Sequence, residues 1–227
     1  GTGDIFVDGI RDPAFYDRDT FNNDRVEILR GSASMLFGRG STGGAVNQVN
    51  KQPLLLDQHE VDVTLGNHKY RRITGDFNIQ NAMYNEADNN GAGSSIDKKG
   101  IAGAYRFGIG EKNEFLLGLY HLDNNNGMNY GMPWIRPTTT ASVLETTVSP
   151  LDPSAYYGMA SDYNAGSATH LSASHTHRFS ADSELKTQIR KGQYERDQRA
   201  GTVRFANAAS QPGGQAVSLA TFGPDTV

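Results

Sequence analysis

Downstream of Pro53, apolar and polar residues alternate with a period of two. Val61, Val63 and Leu65 stand at odd positions against Glu60, Asp62 and Thr64 at even ones, the pattern of a strand with one wet face. The parity continues in Ile73, Gly75, Phe77 and Ile79 against Arg72, Thr74, Asp76, Asn78 and Gln80, and a third strand is expected to rise from Asn81 to Glu86. Ile101, Tyr105, Phe107 and Ile109 line the next strand. Phe115, Leu117 and Leu119 line another, in which Leu116, Tyr120 and Leu122 make the second face apolar too. Leu171, Ala173 and Phe179, then Leu185 and Ile189, mark two more, about seven strands in all. Such alternation fits a soluble sandwich and a membrane barrel equally well.

The connections favour the barrel. Gly110-Glu111-Lys112-Asn113 and Ser180-Ala181-Asp182-Ser183 read as tight turns, whereas Asp123 to about Gly166, with Pro133, Pro137, Pro150 and Pro153, reads as one long loop without strand periodicity. A structureless loop that long is usually functional. Short turns at one edge and long loops at the other are the plan of an outer-membrane barrel. One place breaks the plan: a reversal is needed between Gln80 and Asn81, where no Gly, Pro or Asp marks it. The expectation there is an irregular turn or missing residues.

Composition agrees. Hydrophobic residues make up 37% of the 227 and mean hydropathy is -0.55. No window approaches the roughly 18 apolar residues of a spanning helix, but strands that show lipid only every second side chain remain possible. Cysteine is absent, which excludes a disulfide framework and thiolate metal sites. With a net charge of -4 and no Lys/Arg cluster, nucleic acid is not an expected partner. The first residues lack a basic and apolar leader, so a targeting peptide is expected to be absent or already removed.

Ahead of the strands lies a glycine-rich block. Gly38-Arg39-Gly40-Ser41-Thr42-Gly43 fits Gly-x-Gly-x-x-Gly, but a dinucleotide site needs a following helix in a βαβ unit. Ala45-Val46-Asn47-Gln48-Val49-Asn50 reads instead as strand, so the match is taken as coincidence. Three runs in order, Asp4 to Arg11, Arg25 to Gly38 and Gly43 to Lys51, resemble the second half of the plug domain of TonB-dependent siderophore receptors. Tyr130-Gly131-Met132-Pro133-Trp134, Tyr156-Tyr157-Gly158-Met159 and Ser161-Asp162-Tyr163 are similar to an extracellular loop of the catecholate-type subgroup.

The resemblance implies a mostly β fold: a small mixed α/β plug domain, residues 1–53, inside a 22-stranded antiparallel transmembrane β-barrel. About the first seven strands would lie in residues 54–227. The TonB-contacting box, the first plug strands and most of the barrel would lie outside this chain. It implies a location in the outer membrane of a Gram-negative bacterium, and outer-membrane lipid, a ferric siderophore and TonB with its inner-membrane energising complex as partners. No covalent cofactor is expected; ferric iron travels inside the ligand. Ligand contacts carried over by position are Phe15, Tyr16, Arg18, Phe37, Gly38 and Arg39 on the plug and Tyr130, Trp134 and Arg136 on the long loop. Aromatic faces suit catechol rings, and Arg suits an anionic ferric complex. Each has a plainer reading: Phe37 as plug core, Arg18 paired with Asp17 or Asp19, Trp134 closing its own loop. Arg25, Glu27 and Arg30 are implied to lock the plug to the barrel wall.

Even-numbered Glu60, Asp62, Arg72, Asp76, Arg106, Arg178, Lys186 and Arg190 should face the lumen, where charge costs little. His175 and His177 share a strand face beside Phe179 without a third ligand, which argues for a membrane interface and against a metal. Asp123-Asn124-Asn125-Asn126-Gly127 lacks the Glu of a calcium loop and reads as a loop start. No metal site and no catalytic constellation emerges, which leaves an energised receptor ahead of a passive porin or adhesin, and a nucleotide-dependent enzyme last.

Overall fold

The computed structural model describes residues 4–31, 44–78, 95–128, 131–142, 144–153, 155–201, 205 and 217–223, and the backbone path alone over 80–88. These form two compact units: Gly1–Ala87 with Ile96–Asn125 and Ala165–Asp197, and Asp88–Ser95 with Asn126–Asn164 and Gln198–Val227.

In the first unit, β1 (Asp4–Val7), β2 (Ile10–Arg11), β3 (Asn23–Arg30) and β4 (Gly44–Asn50) make a mixed sheet of order β2-β1-β4-β3. β1 runs parallel to β4, and the other pairs are antiparallel. Asp8 and Gly9 turn β1 into β2 with φ of 51° and 79°, left-handed values that an Asp-Gly pair tolerates in a two-residue hairpin. Phe6 and Ala45 are buried in this sheet and Leu29 packs on them. Gly44, at φ 113°, passes so close to the Leu29 carbonyl that a Cβ has no room.

The remaining strands of the unit belong to a seven-stranded meander: β5 (His59–Leu65), β6 (Arg71–Phe77), β7 (Gln80–Asp88), β8 (Ser95–Phe107), β9 (Asn113–Asn126), β12 (Tyr163–Ser180) and β13 (Ser183–Arg199). They lie in chain order across the sheet, interrupted only by the short β10 (Trp134–Ile135) and β11 (Thr147–Val148), which pair with each other elsewhere. At about 3.3 Å per residue, β12 with 18 residues is far longer than the roughly 9–11 residues that cross a bilayer.

The alternation sorts the side chains as expected. Odd-numbered Val63, Leu65, Ile73, Tyr105, Leu117, Leu171 and Ile189 are large, apolar and exposed, Leu65 by 74% and Ile189 by 69%. Even-numbered Ala102 and Leu122 are 2% and 1% exposed, because Phe21, from the segment ahead of β3, packs on that face of the sheet. A soluble protein rarely shows so broad an apolar face; lipid covers it in a barrel.

Two sequence expectations are corrected. The reversal is not between Gln80 and Asn81 but earlier, since Phe77 already pairs with Gln80. Asn78 replaces the missing Gly or Pro by fastening the reversal to the incoming linker. Its Nδ2 donates to the carbonyls of Leu54 (2.8 Å) and Leu56 (2.6 Å), and its Oδ1 accepts the Leu54 N–H at 2.7 Å. The reversal therefore needs no inserted residues, and β5 and β7 end at the same edge of the sheet. Second, Asp123 to Asn126 is strand, not loop, since β8 and β9 stay paired to Lys98 and Asn124; the asparagines suit strands that continue past the apolar band. The tight turns fall where the sequence places them, at residues 108–112 and at Ala181 and Asp182.

Beside these turns an aromatic ladder runs across the sheet. Phe107 stacks on Phe115 (4.9 Å between centroids), Phe115 on His175 (4.4 Å), and His177 meets Phe179 edge-on at 4.7 Å. Both imidazoles approach Asn113 Oδ1, at 3.0 and 2.7 Å. In an outer-membrane barrel, rows of amphipathic rings of this kind form the interfacial girdle.

Candidate functional site

The segment between β2 and β3 joins plug to wall, and Asp12 is its centre. The Asp12 side chain has no exposed surface, yet four donors surround it. Tyr16 Oη donates to Oδ2 at 2.5 Å and Arg18 Nη2 to the same oxygen at 2.7 Å. From β13, Tyr194 Oη donates to Oδ1 at 2.7 Å, and Arg190 Nη2 stands 3.0 Å from it. The carboxylate is thus saturated. Burial alone would raise its pKa, but the bonds from Tyr16, Tyr194 and Arg18 and the charge of Arg190 outweigh burial and hold it below the usual range. Burial first, and Asp12 second, push the Tyr16 phenol far up, so it stays a neutral donor. His170 of β12 stops 4.0 Å from Asp12 Oδ1, beyond hydrogen-bond reach.

A second junction follows at Asp19. Arg72 of β6 grips its carboxylate with two nitrogens, at 2.7 and 3.0 Å. Burial opposes ionisation here too, but the Arg72 bonds and charge, the Phe21 N–H and Lys98 together lower the Asp19 pKa. Lys98 of β8 donates to the Arg18 carbonyl at 3.3 Å. Phe21 then inserts between strands: it stacks on Tyr120 at 5.5 Å and packs with Ala102 and Leu122. Gly100 leaves the space, since a Cβ there would stand 2.5 Å from the Phe21 ring. Where the chain passes into the strands, Lys51 pairs with Asp76 at 2.5 Å. Farther down the wall, Glu114 bridges Arg106 and Arg178.

Between the plug sheet and the wall lies a cavity of about 670 Å3. Glu27 and Asn47 border it on the plug side, and Arg106, His170, Lys186 and Arg190 on the wall side. Among the described residues no group of three or more His, Asp or Glu side chains is placed to hold a metal.

The expected ligand contacts are distributed unevenly. Phe37, Gly38, Arg39 and Tyr130 lie outside the described residues. Phe15 is half exposed, with its ring edge-on to Tyr16 and Tyr194 at 6.4 and 6.2 Å. Tyr16 is buried, and Arg18 spends its charge on Asp12 with its guanidinium 4.1 Å from the centre of the Tyr16 ring. The plainer reading of Arg18 is corrected in its partner: Asp12, six residues back, replaces Asp17 or Asp19. Arg25 and Glu27 pair with each other, with Asp24 and with Asn47, all within the plug, and Arg30 is exposed at the end of β3. The lumen-facing parity picked out Arg72, Asp76 and Arg190. It missed their partners Asp12 and Asp19, and Tyr194 as a hydroxyl donor, because partner choice across 53 or 182 residues leaves no local signal.

In the second unit, Trp134 is 65% exposed on the β10–β11 ribbon, while its neighbour Ile135 is buried. Arg136 Nη1 reaches the Ala141 carbonyl at 3.5 Å, and its own carbonyl accepts the Leu219 N–H at 2.8 Å. Asp162 organises the Tyr156 to Tyr163 stretch, accepting the N–H of Met159 at 2.9 Å and of Gly201 at 2.7 Å.

Comparison with known proteins agrees with this architecture. Residues 1–45 match the TonB-dependent Receptor Plug Domain. The chain is 33% identical over 153 residues to the protein described as "Probable TonB-dependent receptor BfrD" of Bordetella pertussis, covering 63% of this chain and 20% of that one. It is 28% identical over 202 residues to the catecholate siderophore receptor Fiu of Escherichia coli K12, covering 82% of this chain and 26% of Fiu. The crystal structure of the ferric-catecholate import receptor Fiu in its open form superposes with a TM-score of 0.78 over 88% of this chain and 33% of that one, at 24% identity. The chain thus spans only a fifth to a quarter of the length of these two curated relatives (20% and 26%). The match to the plug model, a similarity to these receptors that runs on past residue 45 into the strands, and the shared fold all point the same way.

Proposed function

We propose that the receptor containing this chain binds ferric siderophores of the catecholate class and imports them with energy delivered through TonB and its inner-membrane complex. The observation that carries this reading is the seam: Asp12, Asp19 and Lys51 of the plug are bonded to Arg190, Arg72 and Asp76, all on the lumen face of the sheet. A folded domain fixed in the bore serves an energised gate and obstructs a diffusion pore, which counts against a passive porin or adhesin. Similarity to Fiu, whose name specifies catecholate siderophores, supports the ligand class. Residues 1–53 act as plug and 54–227 as barrel wall and loops, with outer-membrane lipid against the odd-numbered face. Iron is cargo held within its ligand; the receptor needs no covalent cofactor and makes or breaks no bond. Phe15, Arg39, Trp134 and Arg136 are the side chains proposed to meet the ligand.

The test uses the complete receptor in cells lacking other ferric-catecholate uptake, with radioactive iron supplied as the ferric tris-catechol complex. Uptake should appear with TonB and vanish without it. Uptake indifferent to TonB refutes the reading. Arg39→Ala and Trp134→Ala should each weaken binding by about thirtyfold, the lower end of an interface hot spot, while the barrel stays folded.

A further inference from the structure

The plug is attached to the wall unequally along its length. From Arg11 to Phe21, wall side chains meet the chain again and again. Arg190 donates to the Arg11 carbonyl at 2.8 Å, Tyr194 holds Asp12, and Arg196 donates to the Phe15 carbonyl at 3.0 Å. Lys98 serves the Arg18 carbonyl, Arg72 clamps Asp19, and Phe21 sits on Tyr120. These partners come from β6, β8, β9 and β13, so the segment is stitched across most of the sheet's width. The polar side chains of the plug sheet bond differently. Arg11 reaches back to Asp4 at 2.7 Å, Asn47 donates to Glu27 at 2.9 Å and its Oδ1 accepts the Gly9 N–H at 3.0 Å, and Asn50 donates to Asp8 at 2.7 Å. Those bonds join the sheet to itself; its ends meet the wall where Arg190 reaches the Arg11 carbonyl and where Lys51, one residue past β4, pairs with Asp76.

We infer that residues 12–21 belong mechanically to the barrel: when the plug rearranges, this segment stays on the wall as a fixed platform, and the β1–β4 sheet is the part that shifts against the cavity beside it. Asp12 is the positioning residue of the platform. Its two oxygens hold Tyr16 of the plug and Tyr194 of the wall, and those two rings flank the half-exposed Phe15. Moving the segment would break charge-assisted bonds on buried carboxylates at Asp12 and Asp19 together, the costliest contacts in the seam. Moving the sheet separates surfaces across a cavity that already exists. Elements that move in function are drawn from the weakly held end of a structure. This inference rests on the energised-transport reading.

The test uses the complete receptor carrying Asp19→Cys and Arg72→Cys, bridged by a short bifunctional thiol reagent of about the reach of the lost arginine side chain. TonB-dependent uptake of ferric tris-catechol should be the same before and after bridging. Loss of uptake only on bridging overturns the inference and leaves the transport reading intact; no TonB-dependent uptake in the parent receptor overturns both. Because the pair removes an ion bridge, single variants Phe21→Cys and Ala45→Cys supply an independent readout. Both sites are buried. During energised uptake a maleimide in the periplasm should label position 45 and leave position 21 protected; equal labelling overturns the inference.

Discussion

Replacing Arg72 by Met in the complete receptor isolates one junction of the seam. The substitution keeps much of the aliphatic stem and removes the guanidinium that holds Asp19 at 2.7 and 3.0 Å. Asp19 and Arg72 side chains are 9% and 19% exposed, so little water can take over the lost contacts, and the stranded carboxylate keeps the Phe21 N–H at 3.0 Å and the charge of Lys98. Breaking a buried pair from one side costs about 3–5 kcal/mol. The partial exposure of Arg72 and the surviving N–H bond place the cost near the lower end, about 3 kcal/mol. Asp19→Asn leaves an uncharged partner and should cost about 2 kcal/mol, with the double variant no worse than Arg72→Met alone, a coupling of about 2 kcal/mol. Urea-dependent proteolysis of the plug in outer-membrane vesicles reads all three. Additive costs, with coupling below about 0.5 kcal/mol, would show that the pair behaves as a solvated surface bridge and would refute the seam as a source of plug stability.

Three further outcomes follow from other parts of the structure. Val63→Arg puts a charge on the face that lipid covers and should cost about 2–4 kcal/mol if the position lies at mid-depth, visible as loss of the heat-modifiable folded band on a gel. Asp62→Arg on the opposite face should leave that band in place. Plug stability should fall on acidification: the folded Asp12 carboxyl is depressed, so its contribution is complete above the unfolded value of about 4 and is lost as pH drops through the lower folded value. Asp12→Asn should flatten that slope, and an unchanged slope would exclude Asp12 as its source. Gly100→Val drives a methyl-bearing side chain into Phe21 and should cost about 1–3 kcal/mol by overpacking, raising passive entry of a large antibiotic in a whole-cell sensitivity assay; pairing it with Phe21→Leu should restore the barrier.

Sequence made the wall legible because a period of two is written residue by residue. Val61, Val63 and Leu65 against Glu60, Asp62 and Thr64 needed no tertiary information, and the lumen-facing set included three charges that the plug uses. The junctions were not legible, since nothing local says that Arg72 seeks Asp19 or Arg190 seeks Asp12. The reversal after Phe77 carries no Gly or Pro signal, because Asn78 works by side-chain bonds to a linker more than 20 residues away. Asp123 to Asn126 reads as loop because Asn is a poor strand former in isolation; pairing with β8 overrides that preference.

The attachment at Asn78 has a meaning for load. A pull applied to the plug from below arrives at the barrel through the linker after Pro53, and without a stop it would peel β5 from β6 one hydrogen bond at a time. Asn78 binds Leu54 at both its N–H and its carbonyl, binds Leu56 at its carbonyl, and donates its own N–H to Gln58 at 3.2 Å. These bonds share the load before it reaches His59, the first residue of β5. The hairpin turn therefore doubles as a strain relief, the fitting that lets a cord be tugged repeatedly without working loose the joint to which it leads.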